Sequence, residues 1–311
     1  AAEAVRVAAL VPVFEGAHYL PGLLSALAAQ TRPPDETWVA ETGPDPSTES
    51  LVRARGARYV AVRPGEFDHG GTRSLLAREA RADALLLLSQ DALPARCGSG
   101  ERLLRPLAAD PSVAAAFGRQ VPPAGAHPFT RMKRAFLYGG DSKVQRWEDR
   151  RRSGFRTAFF SNAFAAWRRG PLEQIGWFGD RRLMCEDVSA AAALLAAGHA
   201  VAYAADAEVE HGNEHPLRVE LARYFDIGAT HALDPRLEAD FGRPNGEGLR
   251  FVRFGLRFLV EGGHASCLPS FAVWSAGKRV AYSLGRNHRL LPTPLVRRLS
   301  SLPGWWARAA R

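Results

Sequence analysis

Between residues 5 and 95 apolar runs alternate with stretches of helical period, and no other feature constrains the fold as strongly. "VRVAALVPVF" (5–14) is almost continuously apolar, as a parallel strand covered on both faces must be. A helix follows over 18–30, then a strand over 33–42, a helix over 47–57 ended by Gly56, and a strand over 58–64. A loop at 66–71 leads to a helix at about 72–81 and a fourth strand over 83–94. Crossover helices of this length imply a parallel, doubly wound sheet. Ligands of such sheets sit at the carboxyl ends of the strands. Those ends are Pro12–Glu15, Glu41–Asp45, Glu66–Arg73 and Gln90–Asp91, all polar or charged.

The middle is less regular. Residues 159–170 read as a strand entering a short helix, 184–198 as a helix with Glu186 and Asp187 in its first turn, and 200–204 as a short strand before the His- and acid-rich "VEHGNEH". From about 216 the pattern is helical and basic. Residues 251–311 hold ten Lys/Arg against Glu261 alone, and the rest of the chain holds 31 of each sign, so the net +9 resides in the tail. Such a tail suits anionic lipid or another anionic partner. Cys97, Cys185 and Cys267 are scattered, as reduced thiols of a cytosolic protein would be. No leader and no membrane-spanning run is visible, which leads to the expectation of a cytoplasmic protein, peripheral at most on the inner face of the cell membrane.

Seven stretches, in this order, resemble the family-2 inverting glycosyltransferases of GT-A fold, and their bacterial rhamnosyltransferase branch most: "VPVFEG" (11–16), "EFDHGGTRS" (66–74), "LSQDALP" (88–94), "GRQ" (118–120), "FFSNAFAAWRR" (159–169), "CEDVSAAAALLAAGH" (185–199) and "RYFDIG" (223–228). The resemblance implies a Rossmann-like, mostly parallel α/β catalytic domain over 1–230, with a nucleotide-binding half at about 1–95 and an acceptor-binding half at about 96–230. A basic helical extension follows over 231–311, facing a membrane surface or another subunit. It implies transfer of a sugar, L-rhamnose from dTDP-L-rhamnose in particular, from a pyrimidine nucleoside-diphosphate donor to a glycan or lipid-linked acceptor. A homo-oligomer stays open.

An in-line displacement needs a cation on the departing diphosphate and a base for the acceptor hydroxyl. The resemblance gives the cation, Mg or Mn, to Asp91 with His211, in a motif that usually has more acids than "SQD" offers. Asp187 becomes the base, with Glu186 as its alternate. Pro12, Phe14, Glu15 and Glu41 fall at the base-binding positions, where the family usually has Asp at 41. Arg73 would contact the diphosphate together with Gln90. Gly70 and Gly71 would let the backbone approach the nucleotide, and Asp68 and His69 would shape the pocket or merely build the loop. Ser74 replaces a frequent Asn, at the loss of an amide contact. Arg119, Ser161 and Asn162 would touch sugar or acceptor.

In the tail, Arg250, Arg253 and Arg257 recur at i, i+3 and i+7, and "LPGWWARAAR" sets paired tryptophans among arginines; both have interfacial composition. No nucleic-acid module is present. Two other readings stay open: a glycosyltransferase-like scaffold weakened in catalysis, and a phosphoesterase or nucleotidyltransferase using Asp68, His69, Asp91 and His211.

Overall fold

The computed structural model describes residues 5–212, 214–243 and 245–309. The first half runs β1 (Val7–Phe14), α1 (Leu20–Ala28), β2 (Glu36–Thr42), α2 (Pro46–Ala54), β3 (Arg58–Val62), α3 (His69–Glu79), β4 (Ala84–Leu88) and β5 (Leu93–Pro94). β1 pairs in parallel with β2 and β4, and β2 with β3, as the alternation requires. Two boundaries differ from expectation. α3 begins at His69, not near 72, because Asp68 caps it: the Asp68 carboxylate accepts the Gly71 N–H at 2.7 Å. The single strand expected over 83–94 is two strands, because Ser89–Ala92 closes a turn through the Ala92 N–H and the Ser89 carbonyl.

The chain continues through α4 (Ser99–Ala109), β6 (Val113–Val121), α5 (Pro128–Leu137), β7 (Lys143–Gln145), α6 (Arg150–Ser153), β8 (Phe164–Arg168), α7 (Arg169–Gln174), α8 (Glu186–Ala196) and β9 (Ala200–Glu210). The sheet order is β3-β2-β1-β4-β8-β6-β9-β5, with β7 against β9. β8 runs antiparallel to both neighbours, and β6 and β9 are parallel to each other. β9 outruns the expected 200–204 because a register shift at Gly118/Arg119 lets it follow β6 to Val121, and its last residues then pair with β5. Apolar clusters cover both sheet faces, one around Leu10, Leu76, Trp167 and Leu194, the other around Val11, Leu23, Leu103 and Val209.

The helical end comprises α9 (Leu217–Leu233), α10 (Pro235–Phe241), α11 (Asn245–Glu261), α12 (Leu268–Arg286), α13 (Thr293–Leu299) and α14 (Pro303–Ala309). The boundary expected at 230/231 falls inside α9. α12 lies along α9 so closely that a Cβ on Gly228 would strike the Tyr282 carbonyl and one on Gly285 the Phe225 carbonyl. Only glycine permits that approach. Among the described residues no helix is long and apolar enough to cross a membrane. The tryptophan pair is not an exposed interface. Trp306 is buried against Phe225 and His288, and Trp305 Nε1 donates to the Arg181 carbonyl at 3.0 Å.

Candidate active site

At the nucleotide end, Gln90 takes the place of a strand partner. Its Oε1 accepts the Phe14 N–H at 2.8 Å and its Nε2 donates to the Phe14 carbonyl at 3.0 Å. That double bond presents the Phe14 ring, which is 55% exposed, beside Glu15, whose φ of +48° is left-handed. Pro12 is half-buried one turn of the pleat earlier. Glu41 is buried, and its Oε2 accepts the Asp45 N–H at 3.0 Å and the Tyr59 hydroxyl at 2.7 Å. That carboxylate oxygen thereby holds the start of α2.

Asp91 and His211 meet as expected. His211 Nε2 lies 3.0 Å from Asp91 Oδ2, yet that buried oxygen has no well-directed hydrogen bond. His211 Nδ1 is 2.8 Å from Gln120 Oε1, and Gln120 Nε2 donates to the Ser161 hydroxyl at 2.8 Å. The Arg134 guanidinium, which can only donate, stands 3.2 Å from the same Nδ1. Nε2 and Asp91 Oδ2 face each other as a nitrogen–oxygen pair that could hold a cation. Arg134 braces the loop by donating to the His211 carbonyl at 2.8 Å. Burial raises Asp91, but His211 outweighs it and the carboxyl stays below its ordinary value. An oxygen and an imidazole nitrogen suit Mg or Mn when diphosphate oxygens and water complete the shell. No group of three or more His, Cys, Asp or Glu side chains able to hold a metal forms among the described residues. The Asp68–His69–Asp91–His211 arrangement of the phosphoesterase reading is therefore not assembled.

The second carboxylate pair opens α8. Asp187 is partly exposed; its Oδ2 accepts the Asn162 N–H at 3.1 Å and its Oδ1 the Val188 N–H at 2.8 Å. Glu186 is buried, 3.2 Å from Arg73 Nε and 3.2 Å from Asn162 Nδ2. Burial, and then the Glu186 charge, push the Asp187 carboxyl well above the usual carboxylate range. Burial would raise Glu186 too, but the Arg73 charge and the Asn162 amide outweigh it and hold it below its ordinary value. One acid stays charged and the other sits where it can accept a proton.

Several expectations are redirected by this geometry. Arg73 is not a free cation waiting for a diphosphate: it is buried, paired with Glu186, and donates to the His69 carbonyl at 3.1 Å. Asn162 does not face an acceptor. Its Nδ2 serves Glu186, its Oδ1 accepts from Trp167 Nε1 at 2.9 Å, and it is buried. Gly70 and Gly71 are required by packing: a Cβ on Gly70 would strike the Gly179 and Phe178 carbonyls, and one on Gly71 would lie 2.9 Å from Asp68 Oδ2. Ser74 receives the Phe178 N–H at 3.2 Å. Asp68 is the cap of α3, and His69 stays neutral because burial pushes it down to about 4. Arg119 lies 3.4 Å from Glu208, and Ser161 accepts from Gln120.

The loop before α8 is strained. Trp177, Arg181 and Cys185 all have positive φ without being glycine. Ties from elsewhere hold it: Arg182 to Asp234 at 2.6 Å, and Trp305 to the Arg181 carbonyl. From the same terminal helix, Arg308 donates to the Phe67 carbonyl at 2.8 Å, next to the Asp68 cap. Sequence reasoning missed Gln120, Arg134, Trp305 and Arg308. Only Gln120 carried a local signal, inside "GRQ", where Arg119 was chosen instead.

Glycosyl transferase family 2 matches residues 8–176, more than half of the chain. The chain belongs to this family. The O-antigen chain rhamnosyltransferase RfbN of Salmonella typhimurium is 33% identical over 304 residues, covering 97% of this chain and 96% of the relative. The O-antigen chain rhamnosyltransferase WbaN of Salmonella anatum is 33% identical over 282 residues, covering 90% and 89%. Among solved structures, the mannosyltransferase PcManGT of Pyrobaculum calidifontis, in complex with GDP-Man and Mn2+, matches with TM-score 0.56 and 17% identity over 99% of this chain and 87% of its own. Glucosyl-3-phosphoglycerate synthase of Mycobacterium tuberculosis, with Mn2+ and UDP-glucose, matches with TM-score 0.52 and 16% identity over 77% and 81%. The fold is thus GT-A, and this family-2 chain is a glycosyltransferase. Asp187 and His211 lie beyond the family match but within the span shared with RfbN.

Proposed function

We propose that this family-2 enzyme transfers L-rhamnose from dTDP-L-rhamnose, with inversion, to a glycan or lipid-linked acceptor. The observation that carries the reading is the divided pair at the head of α8: Glu186 charged against Arg73, and Asp187 raised and partly exposed. A single base with no second free carboxylate beside it suits one in-line displacement. The acceptor hydroxyl gives its proton to Asp187 as its oxygen bonds to the anomeric carbon, while the bond from that carbon to the diphosphate oxygen breaks and the nucleoside diphosphate leaves. Phe14 would pack on the pyrimidine and Glu41 Oε1 would accept from its ring N–H. Asp91 and His211 would hold a divalent cation, Mg or Mn, which supplies charge neutralisation at the diphosphate when bound. The names of the two Salmonella relatives support rhamnose, and the Mn2+ in the two solved neighbours supports the ion.

The scheme includes peripheral docking on an anionic membrane surface through α11, where Arg253 and Arg257 are exposed alongside Leu256 and Val260. A donor screen with product analysis tests the sugar. Turnover of dTDP-L-rhamnose with Mg or Mn is expected, and exclusive use of a purine-nucleotide sugar would overturn the assignment.

A further inference from the structure

A cavity of about 640 Å³ opens between the sheet and the terminal helices, away from Asp91 and His211. Its size falls within the ~300–1,000 Å³ of small-ligand pockets, and folded interiors seldom leave so much space unfilled. Aromatic side chains dominate the walls: Phe117 and Tyr203 from the sheet, Phe136 from α5, Phe159, Tyr224 from α9 and Phe251 from α11. Phe159 stands two residues before Ser161. The apolar lining runs out to the surface at Leu249, which is 55% exposed and precedes Arg250 on α11. Ser275 contributes a buried hydroxyl with no partner among the described residues, on the same helix as Lys278 and Arg279, which also line the cavity.

A second cavity of about 320 Å³ adjoins the first and shares Lys143, Gln145 and Arg156 with it as a common wall. Its character is opposite. Lys143, Arg152, Arg156 and Arg250 line it. Two carboxylates answer those four cations: Asp149, 3.4 Å from Arg152, and Glu247, 2.5 Å from Arg156 and 2.9 Å from Arg250. Four minus two leaves an excess of two positive charges, and Lys143 has no ion-pair partner among the described residues. An apolar chamber joined to a net-positive cleft complements a molecule with a hydrocarbon chain at one end and an anion at the other.

We propose that the two cavities together form a site for an anionic amphiphile, its single hydrocarbon chain among the aromatic side chains and its phosphate between Lys143, Arg152, Arg156 and Arg250. The site does not depend on the rhamnosyl reading. Its occupant has two natural sources: the carrier of a lipid-linked acceptor, or a lipid of the membrane on which α11 would lie.

Isothermal titration of the full chain with farnesyl phosphate, farnesol and inorganic phosphate, each below any micelle threshold, tests the site. Farnesyl phosphate should saturate and bind about tenfold or more tightly than either half-molecule. Ser275→Phe fills the chamber, and Lys143→Glu reverses an exposed charge in the cleft without touching the core; each should weaken farnesyl phosphate by about tenfold. Absence of saturable binding to the wild type, or binding that both variants leave unchanged, overturns the proposal. Competition separates the sources. Farnesyl phosphate that competes with a lipid-linked acceptor identifies the acceptor's carrier, whereas binding without competition that tightens vesicle association identifies a bilayer lipid. Failure of the rhamnosyl reading would register separately, as absence of transfer from dTDP-L-rhamnose.

Discussion

The two carboxylate centres of the cleft solve the same electrostatic problem in opposite ways. At the head of α8 the charge is neutralised from within. Arg73 pairs with Glu186, Asn162 fixes both acids, and the one left half-exposed, Asp187, is pushed toward its neutral form. At the end of β4 the charge is left incomplete. Asp91 Oδ2 faces His211 Nε2 without a directed hydrogen bond, although Gln120 and Arg134 hold the imidazole in place. Buried charge is costly unless it is answered, which is why the proposed cation belongs beside Asp91 and the proposed proton transfer at the pair whose charge Arg73 already answers.

The largest test falls on the finished centre. Asp187→Asn keeps shape and hydrogen-bonding reach but removes basicity, and turnover should fall by about 10²–10⁴-fold. Donor affinity, measured by titration, should change little. Wild-type activity should require Asp187 deprotonated, so rate should be present above its raised pKa and lost as pH falls through it, with the acid limb lying above the ordinary carboxylate range. Glu186→Gln, assayed alongside, decides between the acids. Near-normal turnover for Asp187→Asn with collapse for Glu186→Gln would move the base to Glu186.

Next comes the internal partner. Arg73→Leu strands a buried carboxylate, and thermal or denaturant unfolding should report a loss of about 3–5 kcal/mol. Adding Glu186→Gln should restore most of it, because the charge that needed Arg73 has gone. A variant of Arg73 that kept its stability and lost only donor affinity would instead return this residue to the diphosphate.

At the Asp91 centre, Gln120→Leu removes the nearer of the two contacts at His211 Nδ1, leaving Arg134, without touching either proposed ligand. Second partners of metal-bound imidazoles are worth about 10–100-fold in metal affinity, and a loss in that range is expected when Mn is titrated in the presence of donor. Asp91→Ala should abolish metal-dependent donor binding while the protein stays folded. Metal response identical to wild type in both variants would show that the pair holds no ion.

Much of this contrast could be read in the sequence, and the unread part has a common cause. The β/α alternation, the charged strand ends, Asp91, His211 and the acid pair at 186–187 are local patterns: an apolar run that stops in polar residues, or acids in a helical first turn. The pairing of Arg73 with Glu186 is not legible locally because its partner enters from α8, more than a hundred residues away, and nothing local distinguishes an arginine aimed at a phosphate from one aimed at a glutamate. Asp68 stays open between pocket and loop in the sequence for a related reason: an aspartate just before two glycines looks the same whether it caps a helix or lines a loop. The tryptophans at 305–306 looked interfacial because composition is blind to direction. Their burial depends on a fold that brings the chain's end back over Phe225 and Arg181.

The smallest effect belongs to the surface, where no centre is being completed. Arg253 and Arg257 project from α11 into solvent, and Glu261 is the nearest answering charge, 3.9 Å from Arg257. If this face meets an anionic membrane, each arginine contributes about 1 kcal/mol near the headgroups, so Arg253→Ser and Arg257→Ser should each weaken co-sedimentation with anionic vesicles by a few-fold. High salt should weaken wild-type binding in the same direction, since the Debye length shrinks to ~3 Å at 1 M. Single substitutions are the right instrument, because removing everything beyond residue 248 would also strip Trp306 from the buried cluster on α9 and Phe271 and Trp274 from the one around Met132. Vesicle binding that is equal for wild type and both variants and insensitive to salt would remove the membrane from the scheme, while the proposed division of labour between the two carboxylate centres would stand on its own tests.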